Sequence, residues 1–149
     1  MASTWLQVQV DLEGGLDIVC DPPPGRVLIV GPAHTFAALA EAIDIAFARW
    51  DLGHLHVFEL PDGREIGCGD DELEWLDDDA LKVQEELAAG DEFRYTFDLG
   101  DDWRHRCRVL PEQVNPRLVL GIGPLPRRPM AIGGWGWIPD QYGRTTPDG

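Results

Sequence analysis

The chain has 149 residues, 44% of them hydrophobic, which is enough apolar material for one core without metal or disulfide staples. Its 27 acidic and 12 basic residues give a formal net charge of −15, a field that repels polyanions and disfavours nucleic acid as a partner. No apolar run is long enough to span a bilayer, and the start MASTWLQVQV lacks the pattern of a signal peptide. Cys20, Cys68 and Cys107 form no CxxC pair, so a cytoplasmic protein with reduced thiols and no membrane contact is expected.

In TWLQVQVDL (4–12), Leu6, Val8 and Val10 alternate with Gln7 and Gln9, the pattern of a half-buried strand with Trp5 on the polar side. A turn is expected at Gly14-Gly15, and Pro22-Pro23-Pro24 makes the stretch up to Gly25 irregular. RVLIV (26–30) reads as a second strand. From Thr35, a residue type suited to an N-cap, Phe36, Leu39, Ala40, Ile43, Phe47 and Trp50 recur at helical spacing. After Gly53, HLHVFELPDGREIG (54–67) predicts a hairpin turning at Asp62-Gly63. The acids concentrate in residues 69–92, read as a solvated surface with one or two short helical turns in 72–89. FRYTFDLGDDWRHRCRVL (93–110) predicts a third hairpin, with Phe93, Tyr95, Phe97 and then Trp103, His105, Cys107 and Val109 on alternating positions. The proline- and glycine-rich stretch from Pro111 is expected to be an ordered loop wrapping the sheet. This order predicts an α+β fold, with a mainly antiparallel sheet of three hairpins and one principal helix, β-grasp-like in its sequence of elements. One domain is expected over 1–143, with 144–149 a flexible tail.

Three motifs stand in order: TFAALAEAIDIAFARWDLGHLHVFEL, FRYTFDLGDDWRH and a terminal GGWGW. Together they resemble the plasmid pRiA4b ORF-3-like family, whose members carry a helix ending in AFgW, an HLHeF strand and a Y-x-Y-D-F-G-D-D-W-x-H hairpin. The resemblance covers roughly residues 4–137 and matches at His54, His56, Asp98, Gly100, Asp101, Asp102, Trp103 and His105. It implies a compact α+β domain related to the β-grasp, without an assigned activity. Some relatives are insertion-element passengers that carry a resolvase label. A serine recombinase needs a nucleophilic Ser among arginines, and the single serine here is Ser3, so that label is rejected. The chain departs from the family pattern at Leu99, where relatives have Phe, and in RRPMAIGG, where a PPEDCGG-like segment with an acidic pair and a Cys is usual.

The residues leave several chemistries open. His54 and His56 lie two apart on a strand and share a face, so with His105, or with Asp101 or Asp102 as ligand or base, they could hold a divalent metal such as zinc or manganese for hydrolysis. The plainer reading makes Asp98, Asp101 and Asp102 turn acids accepting backbone N–H groups around Gly100, and the histidines packed groups hydrogen-bonded to carbonyls or carboxylates. Trp50 and Trp103 read as core, and Trp135 and Trp137 as covers of a groove. Arg104, Arg106 and Arg108 form a basic stripe, extended by Arg127 and Arg128, that could seat phosphates or pair with the acidic 69–92 segment; the net charge favours pairing. No phosphate loop, catalytic Ser-His-Asp set or dinucleotide fingerprint is present. The reading is a non-enzymatic binding or accessory module without a cofactor, with a protein partner and an association with mobile genetic elements. The alternatives are a divalent-metal hydrolase and a nucleic-acid binder acting through the arginine stripe.

Overall fold

The computed structural model describes residues 4–68, 74–121 and 123–143. Its strands are β1 (Leu6–Gly15), β2 (Ile18–Val19), β3 (Gly25–Val30), β4 (His56–Glu59), β5 (Glu65–Gly67), β6 (Leu76–Asp77), β7 (Glu92–Phe97), β8 (Trp103–Val109) and β9 (Met130–Trp135). The helices are α1 (Phe36–Ala46), α2 (Val83–Glu86) and α3 (Pro116–Leu120). The strands form one sheet in the order β6-β5-β4-β7-β8-β1-β3-β9, with β2 paired to β1. The β5–β6 pair is parallel and the other pairings are antiparallel, so the fold is α+β with one mixed sheet. No helix among the described residues is long and apolar enough to cross a membrane.

The period-2 patterns decide which face of the sheet is covered. On β8, Trp103, His105, Cys107 and Val109 are buried while Arg104 and Arg106 are exposed, and on β1 Leu6, Val8, Val10 and Leu12 are buried. Helix α1 packs on that inner face through Phe36, Leu39, Ala40 and Ile43, with Phe47 just beyond its end. Fully burying one such large apolar side chain contributes about 1.5–3 kcal/mol. The Thr35 hydroxyl accepts from the Ala38 N–H at 3.2 Å and caps the helix start as its residue type suggests. The chain turns out of the helix at Ala48, whose φ is 58°.

The early turn departs from its predicted place. Strand β1 runs through Gly14 and Gly15, and the reversal falls at Leu16 and Asp17, with φ of 51° and 61°. Gly15 is needed where it lies because a Cβ there would overlap the Trp103 ring. Trp5 also differs from expectation: it is buried, pairs with Val114 as an isolated bridge and stacks edge-on with His34. Trp50 is 51% exposed and is not core, because α1 ends before it and the chain has already turned. The stretch after Pro111 is more regular than a wrapping loop. Asn115 and Pro116 start α3, the Asn115 carboxamide accepting from the Arg117 N–H, and β9 adds an edge strand beside β3. Strand β9 shows no alternation to read, since five of its six residues are exposed. In the acidic segment α2 supplies one helical turn, and Leu73 lies outside the described residues.

Candidate functional site

The β7–β8 hairpin closes on a tip, residues 98–102, whose geometry follows from its acids. Asp98 and Asp102 take φ of 61° and 58°, a region that Asp tolerates better than most residues. The Asp98 carboxylate accepts from the N–H groups of Gly100 and Asp101 at 3.1 and 3.2 Å. The tip is held on two sides: the Asp98 N–H donates to the Leu55 carbonyl and the Leu16 N–H donates to the Asp101 carbonyl, both at 2.8 Å. Asp98 is thus a structural residue of the hairpin, the Gly100 N–H donates to it, and Trp103 lies buried on the inner face.

An outer polar cluster joins this tip to the segment before β4 and to the end of the described chain. The Tyr142 hydroxyl donates to Asp51 at 2.7 Å and faces His54 Nε2 at 2.6 Å. The two ring nitrogens of His54 lie 3.4 Å from Asp51 and from Asp98. The hydrogen bond to Asp51 is the largest influence pushing the Tyr142 phenol up to about 12, and the same bond holds the Asp51 carboxyl below its usual range. Desolvation, then the Asp98 charge, raises Asp101. The Gln141 side chain is buried, accepts from the N–H groups of Trp50 and Asp51, and donates to the Asp51 carbonyl. Tyr142, His54, Asp51, Asp98 and Gln141 are turned toward one another across three segments of the chain, which makes the cluster a clasp.

Beneath it lies a buried network that the sequence reading did not single out. Asp44, on the inner face of α1, accepts from the Tyr95 hydroxyl at 2.9 and 3.0 Å. Burial raises its pKa to about 7, against the lowering effects of Arg49 and of the Tyr95 bond. His105 is fully buried: Nδ1–H donates to the Tyr95 carbonyl at 2.9 Å, which leaves Nε2 to accept from Arg49 Nη2 at 2.9 Å. Burial, then the Arg49 cation, hold its pKa well below the ordinary 6.5, so the imidazole is neutral. Arg49 is 7% exposed and lies over the rings of Phe47, Phe97 and Trp103, with centroid distances of 5.5, 5.6 and 5.4 Å. Burial lowers its pKa, the cost of keeping a cation there. Two donors of this nest, Arg49 Nη1 and Trp103 Nε1, have no hydrogen-bond partner among the described residues. The signal for Asp44 and Arg49 was present as polar residues at the inward positions and end of an amphipathic helix.

The histidines read as metal ligands are divided among separate partners. His54 belongs to the outer clasp, His56 bonds Asp78 at 2.5 Å, and His105 sits between Tyr95 and Arg49. Among the described residues no three His, Cys, Asp or Glu side chains are arranged to hold a metal ion. The position before β4 turns His54 toward the hairpin tip while His56 joins the ladder opposite Phe97, so the spacing of two does not bring the rings onto one point. Asp102 pairs with Arg104 at 2.6 Å.

The arginine stripe is interleaved with acids on the outer face of the sheet. Arg106 pairs with Glu92 at 2.8 Å, Arg94 with Glu13 and Arg128 with Glu41 on α1. Arg108 stands opposite Glu92 and Gln9 in the strand registers. Arg106 thus takes its acid from the last residue of the 69–92 segment, diagonal to it on the neighbouring strand, while Arg104 pairs with Asp102 at the hairpin tip and Arg128 with α1. The two late tryptophans separate. Trp135 lies against Gly25, where a Cβ would overlap its ring, while Trp137 is 79% exposed and lines an open groove of about 570 Å³. The other walls of that groove include Ile18, Val19, Cys20, Pro22 and Pro139, with Asp21 and Asp140 also on its lining.

One mixed sheet, a helix across its inner face and an acid-rich hairpin tip clasped to the chain end define a small α+β protein. The chain belongs to the plasmid pRiA4b ORF-3-like protein family, whose model matches residues 5–126. The RRPMAIGG segment that departs from the family pattern lies beyond this span, and Met130 to Gly134 within it form part of edge strand β9. Among solved structures the fold is similar to that of a protein of unknown function, MM3350 from Methanosarcina mazei Go1. The TM-score is 0.68 at 23% identity, over 90% of this chain and 71% of that one. A comparison with curated proteins finds no match.

Proposed function

We propose that this protein is a non-enzymatic binding module whose groove beside β2 takes an apolar segment of a partner protein. The observation that carries the reading is the exposure of Val19 (76%) and Trp137 (79%) on two walls of one groove, large apolar surfaces that no other part of the described chain covers. Aromatic anchors of this kind dominate protein interfaces. Asp21 and Asp140 on the lining, and a net charge of −15, suit a segment with basic flanks. The groups with catalytic potential support the same reading, since His54, His56 and His105 are held by other side chains of the chain and Asp98 by His54 and its own turn. A β-grasp-like platform fits this role, and the plasmid-derived family name supports an association with mobile genetic elements.

The test is selection from a library of short random peptides on immobilised protein, with a Val19→Ser, Trp137→Ala double variant in parallel. Enriched peptides should be apolar with Lys or Arg flanks and should lose affinity for the variant at least tenfold. They should bind undiminished to a variant with Arg104, Arg106 and Arg108 replaced by Ala. Equal retention by the groove variant, or no enrichment on either protein, refutes the proposal.

A further inference from the structure

The two edges of the sheet are built differently. On one side β6 ends it with two residues, one of them Asp77, a short and charged edge of the kind that resists further pairing. On the other side β9 ends it with six residues, MAIGGW, that include no charge and no proline. Among the described residues β9 pairs with β3 alone, so its far edge is open to another strand. The bulge in this pairing leaves Ile132 without a partner on β3 and sets Met130 opposite Ile29 and Trp135 opposite Gly25. Ile29 and Gly25 are four positions apart on β3 and share a face, so Met130 and Trp135, one at each end of β9, also stand on one face. Ala131 and Gly134, opposite Leu28 and Arg26, share the other face. From either end β9 thus presents a large residue and then a small one, on matching faces, and Met130 and Trp135 are 41% and 46% exposed. The charges around the strand fit the same symmetry. Residues 113–139 form the longest acid-free stretch of a chain with net charge −15, and Arg127 and Arg128 both lie before the start of β9.

We infer that β9 is a self-association edge: two copies of this chain join β9 to β9 antiparallel across a two-fold axis, and one sheet runs through both. In this arrangement Met130 lies opposite Trp135 of the second copy and Ala131 opposite Gly134 of the second copy. Each large residue then covers the exposed side of the other, and each opposed pair keeps its face. The axis repeats this match at both ends of the strand, as a contact between identical surfaces requires. An unrelated extended segment meets the same backbone edge; what selects a second copy is that match, together with the charges. Antiparallel pairing places the arginines of the two copies at opposite ends, and it brings two chains of −15 together along their acid-free stretches. A standard stable interface takes about 20–30 residues on each partner. An edge of six residues is smaller, so the dimer dissociates on dilution. The groove beside β2 plays no part in this contact.

The experiment is sedimentation of the full chain from about micromolar to about millimolar concentration. Salt is held at about 0.15 M, where a screening length of about 8 Å limits repulsion between the two chains. The wild type should pass from monomer to dimer over this range and go no further, since a two-fold contact closes on itself. Gly133 is the position to perturb, because it lies opposite Ile132 of the second copy beside the axis, while within its own chain a Cβ there meets nothing within 4 Å. Gly133→Lys and Gly133→Glu should each keep the urea midpoint of the wild type and weaken the dimer by about fivefold or more, as like charges meet at the axis. An equimolar mixture of the two variants should associate again, because opposite charges then face each other. Both leave Val19 and Trp137 in place, so the peptide selection on the groove is read separately. A wild type that stays monomeric up to about millimolar concentration overturns the inference. A dimer that both variants leave unchanged lies on another face and overturns it too, as does a mixture that fails to associate.

Discussion

Replacing Asp44 by Asn isolates the energetic effect of a buried carboxyl in the core. Asp44 is 5% exposed, and burial is the largest cause of the rise of its pKa from 3.8 to about 7. A carboxyl that holds its proton more tightly in the folded state contributes stability fully below pH 3.8 and loses it as the pH rises through about 7. The size of this loss, at 1.36 kcal/mol per tenfold change in the proton equilibrium, is about 4 kcal/mol. Asn keeps an oxygen for the Tyr95 hydroxyl and has no proton to lose. Urea unfolding of both proteins from pH 4 to pH 8 should therefore show a stability difference that moves in favour of Asn by about 2–4 kcal/mol and levels off above the window. His105 acts in the opposite sense: its depressed pKa gives stability that is present above 6.5 and lost as the pH falls. It is common to both proteins and drops out of the difference. A difference that stays constant with pH refutes the reasoning, because Asp44 would then ionise in the folded state as easily as in the unfolded one, with the Arg49 attraction offsetting its burial.

Two further substitutions examine the same core. Tyr95→Phe removes the hydroxyl that donates to Asp44, so it should cost about 1–3 kcal/mol in urea unfolding at pH 8 and much less at pH 4, where the carboxyl is protonated. Gly15→Ala places a Cβ against the Trp103 ring and should destabilise by about 1–3 kcal/mol, with the Trp103 indole resonance displaced; an unchanged midpoint and spectrum would mean that the close approach is not needed.

Much of the sheet was legible because its signal is local. Alternation in residues 93–110 follows from side chains pointing to opposite faces of a strand, and the observed β7 and β8 show the same alternating burial. The same holds for β1, for the N-cap at Thr35, and for the Asp-Gly turn, where Phe58 lies opposite Ile66 across β4 and β5. Legibility failed where the local pattern was flat or a distant neighbour intervened. Strand β9 is exposed on both faces and leaves no period to detect, and the Gly14-Gly15 signal marks the place for the Trp103 ring rather than the turn.

The site divides in the same way. Residue type and spacing alone determined that Asp98 would satisfy backbone donors beside Gly100, since Asp and Gly make such turns by their own hydrogen bonds, whereas Asp102, read in the same role, pairs with Arg104. Family membership, too, is carried by the motifs of the chain itself. Only the tertiary structure decided that His54 would join Asp51, Asp98 and Tyr142 while His56 went to Asp78 and His105 to Arg49. Those partners lie up to 88 residues away, so their meeting depends on the order of strands in the sheet and on where α1 crosses it. The same packing placed Arg49 over the rings of Phe47, Phe97 and Trp103 with one nitrogen unmatched among the described residues, because a helix end is positioned by the apolar side chains before it, whatever becomes of the charge that follows.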